Sequence, residues 1–399
     1  MNFPEVELGA LAAAIRMGPF GSSIKKDRFV SDGVPVINGR HLHGVVLTDS
    51  AGYEYISEAH ADELRNANAR VGDVVITHRG TLGQASVIPS TAKYPRYVIS
   101  QSQLFVRCDP GSLNPRFLAY FLNAPLGQRR ILDFATQTGV PAIAQPSRAI
   151  AKVRVPVPEL REQQAIAEVL GALDDKIAAN TALAMAAERL AVAELSAVRE
   201  SAPLGDLARL GKEQLPPPAF ADQAVDHFSL PAFDADNLPG DESGSDIKSA
   251  KFAVRSPAVL LSKLNPRFPR IWRATPRSDR LAVASTEFLV LVPLNTSPAI
   301  LWAALSQPAF IAALDARVAG TSGSHQRVRP ADALTIDIVD PGSVPTSLRV
   351  LIESALAAAD LHRWQNRTLA ATRDALLPQL MAGKLRVRDA EKIAADAGV

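Results

Sequence analysis

The hydrophobic pattern of this chain changes period twice, in the same order each time. Over residues 1–158, short apolar runs alternate with turn signals. Val34-Pro35-Val36-Ile37, Asp73-Val74-Val75-Ile76, Ala85-Ser86-Val87-Ile88 and Gln103-Leu104-Phe105-Val106 read as strands. Gly18-Pro19, Asp32-Gly33 and Arg79-Gly80 punctuate them. Residues 113–132 read as helix, with Asn114 as N-cap before Pro115. From 159 to 200 the period turns helical. No proline intervenes between Pro158 and Pro203, and apolar residues recur at Ile166, Leu170, Leu173 and Ile177. That seam then meets Asn180 and resumes through Leu183, Ala187 and Leu190, which predicts one long helix with a coiled-coil face.

The cycle then restarts. Leu215-Pro216-Pro217-Pro218 and an acidic stretch are expected to be irregular, followed by strands at 258–262 and 286–292 and a helix over 298–318. A second long helix is expected over 344–382, with the ladder Leu348, Ile352, Ala355, Ala359, Asn366, Leu369, Leu376, Leu380. Pro378 interrupts its last turn and Gly383 is a natural stop.

The two cycles also share residues. VISQSQLFV at 98–106 returns as AVASTEFLV at 282–290, about 184 residues later. Ala135-Thr136-Gln137-Thr138-Gly139 falls opposite Ala319-Gly320-Thr321-Ser322-Gly323, and Asn180-x-x-Leu183 opposite Asn366-x-x-Leu369. The layout expected is therefore an internal pseudo-two-fold repeat of an α+β module. Its parts are a globule over 1–158, a helix over 159–202, a second globule over 203–342, a second helix over 343–385 and a tail over 386–399. Each long helix has too narrow an apolar stripe to stand alone, so the two are expected to pair antiparallel in a dumbbell. Asn180 and Asn366 would fix the register.

Composition narrows the function classes. The chain has 43 basic and 41 acidic residues, so net charge does not announce a nucleic-acid binder. One cysteine excludes an internal disulfide framework and a cysteine-based zinc site. Met1 is followed by Pro4, Glu5 and Glu7 rather than a secretory leader, and no apolar window is long enough to span a bilayer. The expected compartment is a reducing cytoplasm. The balanced total hides segregation: residues 203–247 are acidic, whereas 248–280 carry Lys248, Lys251, Arg255, Lys263, Arg267, Arg270, Arg273, Arg277 and Arg280. Interleaved with Phe252, Phe268, Ile271 and Trp272, that run suggests an anion-facing surface beside the plainer reading of a solvated face.

Catalytic motifs are weak. Asn-Pro-Arg-Phe at 114–117 and 265–268 is similar to the Asn-Pro-Pro-Tyr tetrapeptide of adenine methyltransferases, but the third position differs and no Gly-rich cofactor loop precedes either copy. His41 and His43 lack metal-ligand spacing, and no serine sits in a nucleophile elbow. No catalytic, metal or cofactor site is expected in this chain. What remains are polar and basic loops on strand frameworks. In the first globule they carry Lys25, Lys26, Arg28, Asn38, Arg40, His78, Arg79, Thr81, Gln137 and Thr138. In the second they carry Lys248, Lys251, Lys263, Asn265, Arg267, Arg270, Ser324, His325, Gln326 and Arg327. Arginine and lysine fork onto guanine, asparagine and glutamine onto adenine, and hydroxyls suit phosphates, so these are the candidate contacts to double-stranded DNA.

Ordered motifs carry a family resemblance. Gly18-Pro19-Phe20-Gly21-Ser22, Gly33-Val34-Pro35-Val36-Ile37, Gly72-Asp73-Val74-Val75 and Gly80-Thr81-Leu82-Gly83 are followed by Val155-Pro156-Val157-Pro158-Glu159-Leu160-x-Glu162-Gln163-Gln164-x-Ile166. Ile247-Lys248-Ser249-Ala250-Lys251, Leu261 to Arg267, and Leu376-Leu377-Pro378-x-Leu380-x-x-Gly383 complete the series. In this order they resemble the specificity subunit of a Type I restriction–modification system. The resemblance implies two target-recognition globules joined by two long antiparallel coiled-coil helices. Each globule would read half of a bipartite asymmetric DNA sequence. The helices would dock two copies of a modification subunit that carries S-adenosylmethionine and methylates adenine, with translocating restriction subunits as further partners. Docking would fall on Glu162, Gln163, Ile166, Leu170, Leu173, Ile177, Leu183 and Leu190 of the first helix and Ile352, Leu369, Leu376 and Leu380 of the second. The second helix lacks the Glu162-Gln163 lead-in and shows Thr346-Ser347-Leu348 instead. A protein-only coiled-coil adaptor and an unrecognised enzyme are the competing classes. Salt-dependent association with duplex DNA, or methyl transfer by the isolated chain, would separate them.

Overall fold

The computed structural model describes residues 3–49, 52–136, 139–319 and 326–399, with Ser22 and Ala319 described in backbone only. The chain divides into two compact units, Met1–Lys176 with Thr368–Val399, and Ile177–Arg367.

The expected strands form in both. In the first unit Ala12–Met17 (β1), Asp73–Thr77 (β2), Ala85–Val87 (β3) and Gln103–Cys108 (β4) make a sheet in the order β1-β4-β2-β3. In the second unit Ala208–Gly211 (β5), Ala258–Ser262 (β6), Ile271–Ala274 (β7) and Phe288–Pro293 (β8) make a sheet in the order β5-β8-β6-β7. The order is the same one, so the repeat legible in sequence is a repeat of topology. Both sheets are wholly antiparallel.

Each unit adds a five-stranded sheet, and here the copies part. Both retain a parallel pair, Val34–Ile37 with Tyr97–Ile99 and Ala224–Phe228 with Leu281–Ala284. Around it the first unit runs Phe29–Val30, Glu54–Ile56, Val34–Ile37, Tyr97–Ile99, Asn68–Ala69, and the second runs Gln214–Leu215, Lys251–Ala253, Leu281–Ala284, Ala224–Phe228, Gly240–Ser243.

Three expectations need correction. The single helices predicted over 113–132 and 298–318 are each two, Pro115–Asn123 with Pro125–Leu132 and Pro298–Leu305 with Pro308–Asp315. Ala124 and Gln307 precede prolines and are extended, with ψ of 154° and 138°. The proline ring disfavours helical backbone at the residue before it.

The acidic stretch after Pro218 is not irregular. It forms Ala224–Phe228, the helix Leu230–Asp236 and Gly240–Ser243. The reason is charge pairing: Asp226 binds Arg277, Asp234 binds Arg270, Asp241 binds Arg280 and Glu213 binds Arg255. The two charge blocks of the sequence are the two sides of one internal set of ion pairs.

The third correction concerns the long helices, Leu160–Leu195 (α1) and Thr346–Met381 (α2). Ile166, Leu170 and Leu173 are buried as expected, as are Ile352, Leu369, Leu376 and Leu380. Beyond Asn180, however, the buried positions are Ala184, Ala191 and Leu195, while Leu183 and Leu190 are 54% and 42% exposed. Leu356 rather than Ala355 is buried on α2. Small alanines occupy the seam and the leucines beside them face solvent.

Contacts between α1 and α2 within the second unit run in opposite chain directions. Asn366 Nδ2 donates to the Ile177 carbonyl (3.2 Å) and to Thr181 Oγ1 (3.0 Å), Asn180 Nδ2 to Gln365 Oε1 (3.4 Å), and Glu188 pairs with Arg363 (2.8 Å). The helices are therefore antiparallel there, with asparagines in the register-setting role. In the first unit Arg373 of α2 pairs with Asp174 of α1 at 2.6 Å. Gly383, at φ 64°, ends α2 in the left-handed conformation expected of a helix stop.

Candidate nucleic-acid interface

In the first unit a hairpin between β2 and β3 presents residues 78–84. It is stitched to a later segment: Gly80 N donates to the Pro141 carbonyl and Ile143 N to the His78 carbonyl, both at 2.9 Å. In the second unit the hairpin between β6 and β7 presents residues 263–270. Asn265 N donates to the Gln326 carbonyl (2.9 Å) and Val328 N to the Lys263 carbonyl (3.0 Å). The same hairpin is thus tied to the same later segment in both units. This gathers candidate contacts that lie about 60 residues apart in sequence.

Around the first hairpin the loops meet at a polar hub that sequence reasoning missed. Gln103, 1% exposed, donates from Nε2 to Thr77 Oγ1 (3.3 Å) and accepts from Ser100 Oγ. Thr77 Oγ1 in turn donates to Gln84 Oε1 at 3.2 Å. A Cβ on Gly39 would lie 3.2 Å from Gln84 Oε1, and one on Gly18 would overlap the Ser100 carbonyl at 1.8 Å. Hence the Gly18–Arg28 and Asn38–His41 loops sit on the hub. A polar residue opening an otherwise buried strand, Gln103 in SQSQLFV, was the signal for it.

The predicted residues divide into two groups. Lys25, Lys26, Arg28, Arg79 and Thr81 are exposed, and these four cations have no ion pair among the described residues. Asn38 and His41 instead build the turn: Asn38 Oδ1 accepts from Arg40 N, and His41 Nδ1 accepts from Asn38 N at 3.0 Å. Arg40 Nη2 donates to the Gly52 carbonyl. His78 is buried, its Nε2 has no partner among the described residues, and burial pushes its pKa below the ordinary imidazole range. It supports the hairpin rather than projecting from it.

In the second unit Arg267 is exposed and has no ion pair among the described residues, and Lys263 is half-buried beside Glu287. Arg270 is held by Asp234 (Nε–Oδ1 2.6 Å, Nη2–Oδ2 2.8 Å) and Arg327 by Glu287 (both bonds 3.0 Å). Asn265 occupies a left-handed turn position at φ 50°. Lys248 Nζ donates to the Ser245 carbonyl, and Lys251 is buried, donating to Ser249. The run 248–280 is therefore not the open basic surface expected, because most of its charge is spent inside the unit. Gln137, Thr138, Ser324 and His325 lie outside the described residues.

Two aromatics join these loops, Phe268, already noted within the basic run, and Phe20, which the sequence reading did not single out as a contact. Phe20 is 88% exposed and Phe268 68% exposed, each on a loop beside these cations. Their signal is an aromatic set between glycine or proline neighbours, Gly18-Pro19-Phe20-Gly21 and Pro266-Arg267-Phe268-Pro269.

On α1, Gln163 is wholly buried rather than available to a partner. Its Oε1 accepts from Asn114 N (2.8 Å), and its Nε2 donates to the carbonyls of Ser112 and Pro158 (3.0 Å each). Asn114 caps its helix, accepting from Phe117 N at 3.0 Å. Glu162 and Ile177 are half-buried.

Residues 21–189 match the family model described as Type I restriction modification DNA specificity domain. The match covers 169 of the 399 residues, most of the first unit and most of α1. Among solved structures, the Type I restriction-modification system S subunit from M. genitalium has the same fold, at 15% identity and TM-score 0.60, over 95% of this chain and 96% of that one. The HsdS subunit from Thermoanaerobacter tengcongensis aligns at 15% identity over 99% and 96% of the two chains, with a TM-score of 0.32. No curated protein matches the sequence. Among the described residues no single helix is long and apolar enough to cross a membrane. The bent pair Pro298–Leu305 and Pro308–Asp315 is apolar enough by composition, and it buries Ile300, Leu301, Leu305, Phe310 and Leu314 in the core of the second unit.

Proposed function

We propose that this chain reads a bipartite, asymmetric duplex DNA sequence, one half through each unit, and performs no chemistry itself. The observation that carries the reading is the combination of a shared four-stranded sheet order with divergent five-stranded sheets and loops. A common scaffold with two different reading surfaces suits two different half-sites. Contacts in the first unit come from Lys25, Lys26, Arg28, Arg79 and Thr81, and in the second from Lys263, Arg267, Arg270, Gln326 and Arg327. The paired helices set the half-site spacing. Two modification subunits dock on them, supply S-adenosylmethionine and methylate adenine, and restriction subunits join the same assembly. Leu183, Met185 and Leu190 on α1, each exposed, offer the apolar contacts that such docking requires.

One observation favours a protein-only adaptor instead: the second unit neutralises most of its own basic run. Binding of the chain with its modification subunit to duplex DNA separates the two. A reader that contacts phosphates through about five cations loses affinity steeply as salt rises, with a slope near five in log–log form. Association too weak to measure at low salt, with the subunits still assembled, would support the adaptor.

A further inference from the structure

Arg270 and Arg327, two carboxylate-held arginines of the second unit, spend only one edge of each guanidinium on the carboxylate. A guanidinium has two hydrogen-bonding edges, one made by Nε and Nη2 and one made by Nη1 and Nη2. Arg270 spends its Nε/Nη2 edge on Asp234, and Arg327 spends the same edge on Glu287. Neither Nη1 has a partner among the described residues, which leaves the outer fork of each unspent there. That fork matches the O6 and N7 acceptors of guanine in the major groove.

Other arginines of this unit are gripped through the same edge, Arg255 by Glu213 and Arg277 by Asp226. Arg270 and Arg327 differ in where they stand. The Arg270 carbonyl accepts from Ser262 N, closing the base of the β6–β7 hairpin. Arg327 bridges Leu264 within that hairpin, and the Glu287 carbonyl accepts from Lys263 N. Both forks therefore flank the loop that carries Lys263, Arg267 and Phe268. Arg277, by contrast, lies against Trp364 of α2.

We infer that Arg270 and Arg327 are guanine-reading residues of the second unit, and that Asp234 and Glu287 are the positioning residues that aim them. The inference rests on the DNA-reading function proposed above. The carboxylate does two things. It fixes the plane of a side chain that is otherwise free to rotate, so less is lost on forming the paired bonds. It also cancels the charge that would attract any phosphate, which lowers non-specific binding while leaving the directional fork intact. Arg327 holds the Glu287 carboxyl below its ordinary range, and Arg270 does the same for Asp234, so both anchors stay ionised at neutral pH. Arg79, on the equivalent hairpin of the first unit, has no carboxylate partner among the described residues, so on this inference the two half-sites are read by different means.

The test is N6-methyladenine sequencing of genomic DNA from a methylation-free host expressing the chain with its modification subunit. Wild type is compared with Arg327→Ala, Arg327→Lys, Glu287→Gln, Arg270→Ala and Asp234→Asn. Each arginine variant is expected to relax one G·C position, both positions lying in the same half-site, with discrimination falling about ten-fold or more. Glu287→Gln and Asp234→Asn are expected to relax the same positions as their partner arginines, by less. Sharp methylation at the other positions certifies that a variant assembled. Where an alanine variant abolishes all methylation, Arg327→Lys and Glu287→Gln, which keep the charge or the hydrogen bonding, decide the matter. Uniformly reduced methylation of an unchanged motif, or relaxation at A·T positions, would overturn the inference. A carboxylate variant as selective as wild type would overturn the positioning role. A wild-type complex that methylates no bipartite motif would instead overturn the reading on which the inference rests.

Discussion

Arg273→Ala is expected to destabilise the second unit by about 3 kcal/mol. The Arg273 side chain, 6% exposed, projects from β7 to both long helices. It donates to Asp360 of α2 at 2.6 Å and to Glu188 of α1 at 3.2 Å, and its guanidinium lies over Trp302 at 4.5 Å. Removing it strands carboxylates and forfeits the packing of the side-chain stem. The low end of the usual range for breaking a buried pair applies, because Arg363 still reaches Glu188 (2.8 Å) and Asp360 (3.4 Å), and Asp360 is 43% exposed. The reporter is built in: Trp272, Trp302 and Trp364, the only tryptophans in the chain, all belong to this unit. Urea unfolding followed by tryptophan fluorescence should show a clearly lowered midpoint. An unchanged midpoint would mean that the network contributes nothing net.

Leu369→Ala and Leu183→Glu should separate two roles that the sequence pattern merges. Leu369 is 1% exposed within the first unit, so truncation is expected to cost about 2–5 kcal/mol through lost burial and the cavity left behind. Leu183 is 54% exposed, so a glutamate there should change folding stability by only about 0.5 kcal/mol. If the exposed stripe docks the modification subunit, Leu183→Glu nonetheless loses co-purification with it. Thermal unfolding and pull-down measured side by side give the result. Destabilisation by Leu183→Glu would return it to the seam, and full retention of the partner would remove it from the docking surface.

Local signals carried most of the fold. The strands around 34–37, 73–76, 85–88 and 103–106 were legible because apolar runs ended at glycine and proline, and the long helices because their apolar positions recur every three or four residues, a pattern that outlasts Gly171 in α1 and Pro378 in α2. The breaks at Pro125 and Pro308 were also written in the sequence, but a strongly apolar stretch outweighed them. Long-range facts were harder to read. Asp226 and Arg277 are 51 residues apart, and nothing local says that an acidic block will fold onto a basic one instead of either facing solvent. The seam beyond Asn180 was misplaced by one position because size favoured Leu183 over Ala184, whereas helix geometry favoured the alanine. Gln163 was expected to contact a partner because it belongs to the motif that carries the family resemblance. Its amide is buried because Asn114, Ser112 and Pro158 satisfy its hydrogen bonds. Of the candidate contacts, their gathering at one hairpin per unit was not legible at all. It depends on pairings such as Arg79 with Ala142 and Leu264 with Arg327.

The most direct measurement is single-molecule sequencing of genomic DNA from the source cell, with and without this gene, scored for N6-methyladenine. A bipartite reader predicts that methylation at one asymmetric split motif disappears with the gene and that all other motifs are untouched. Unchanged methylation at every motif, in cells shown to express both the chain and its modification subunit, would contradict it.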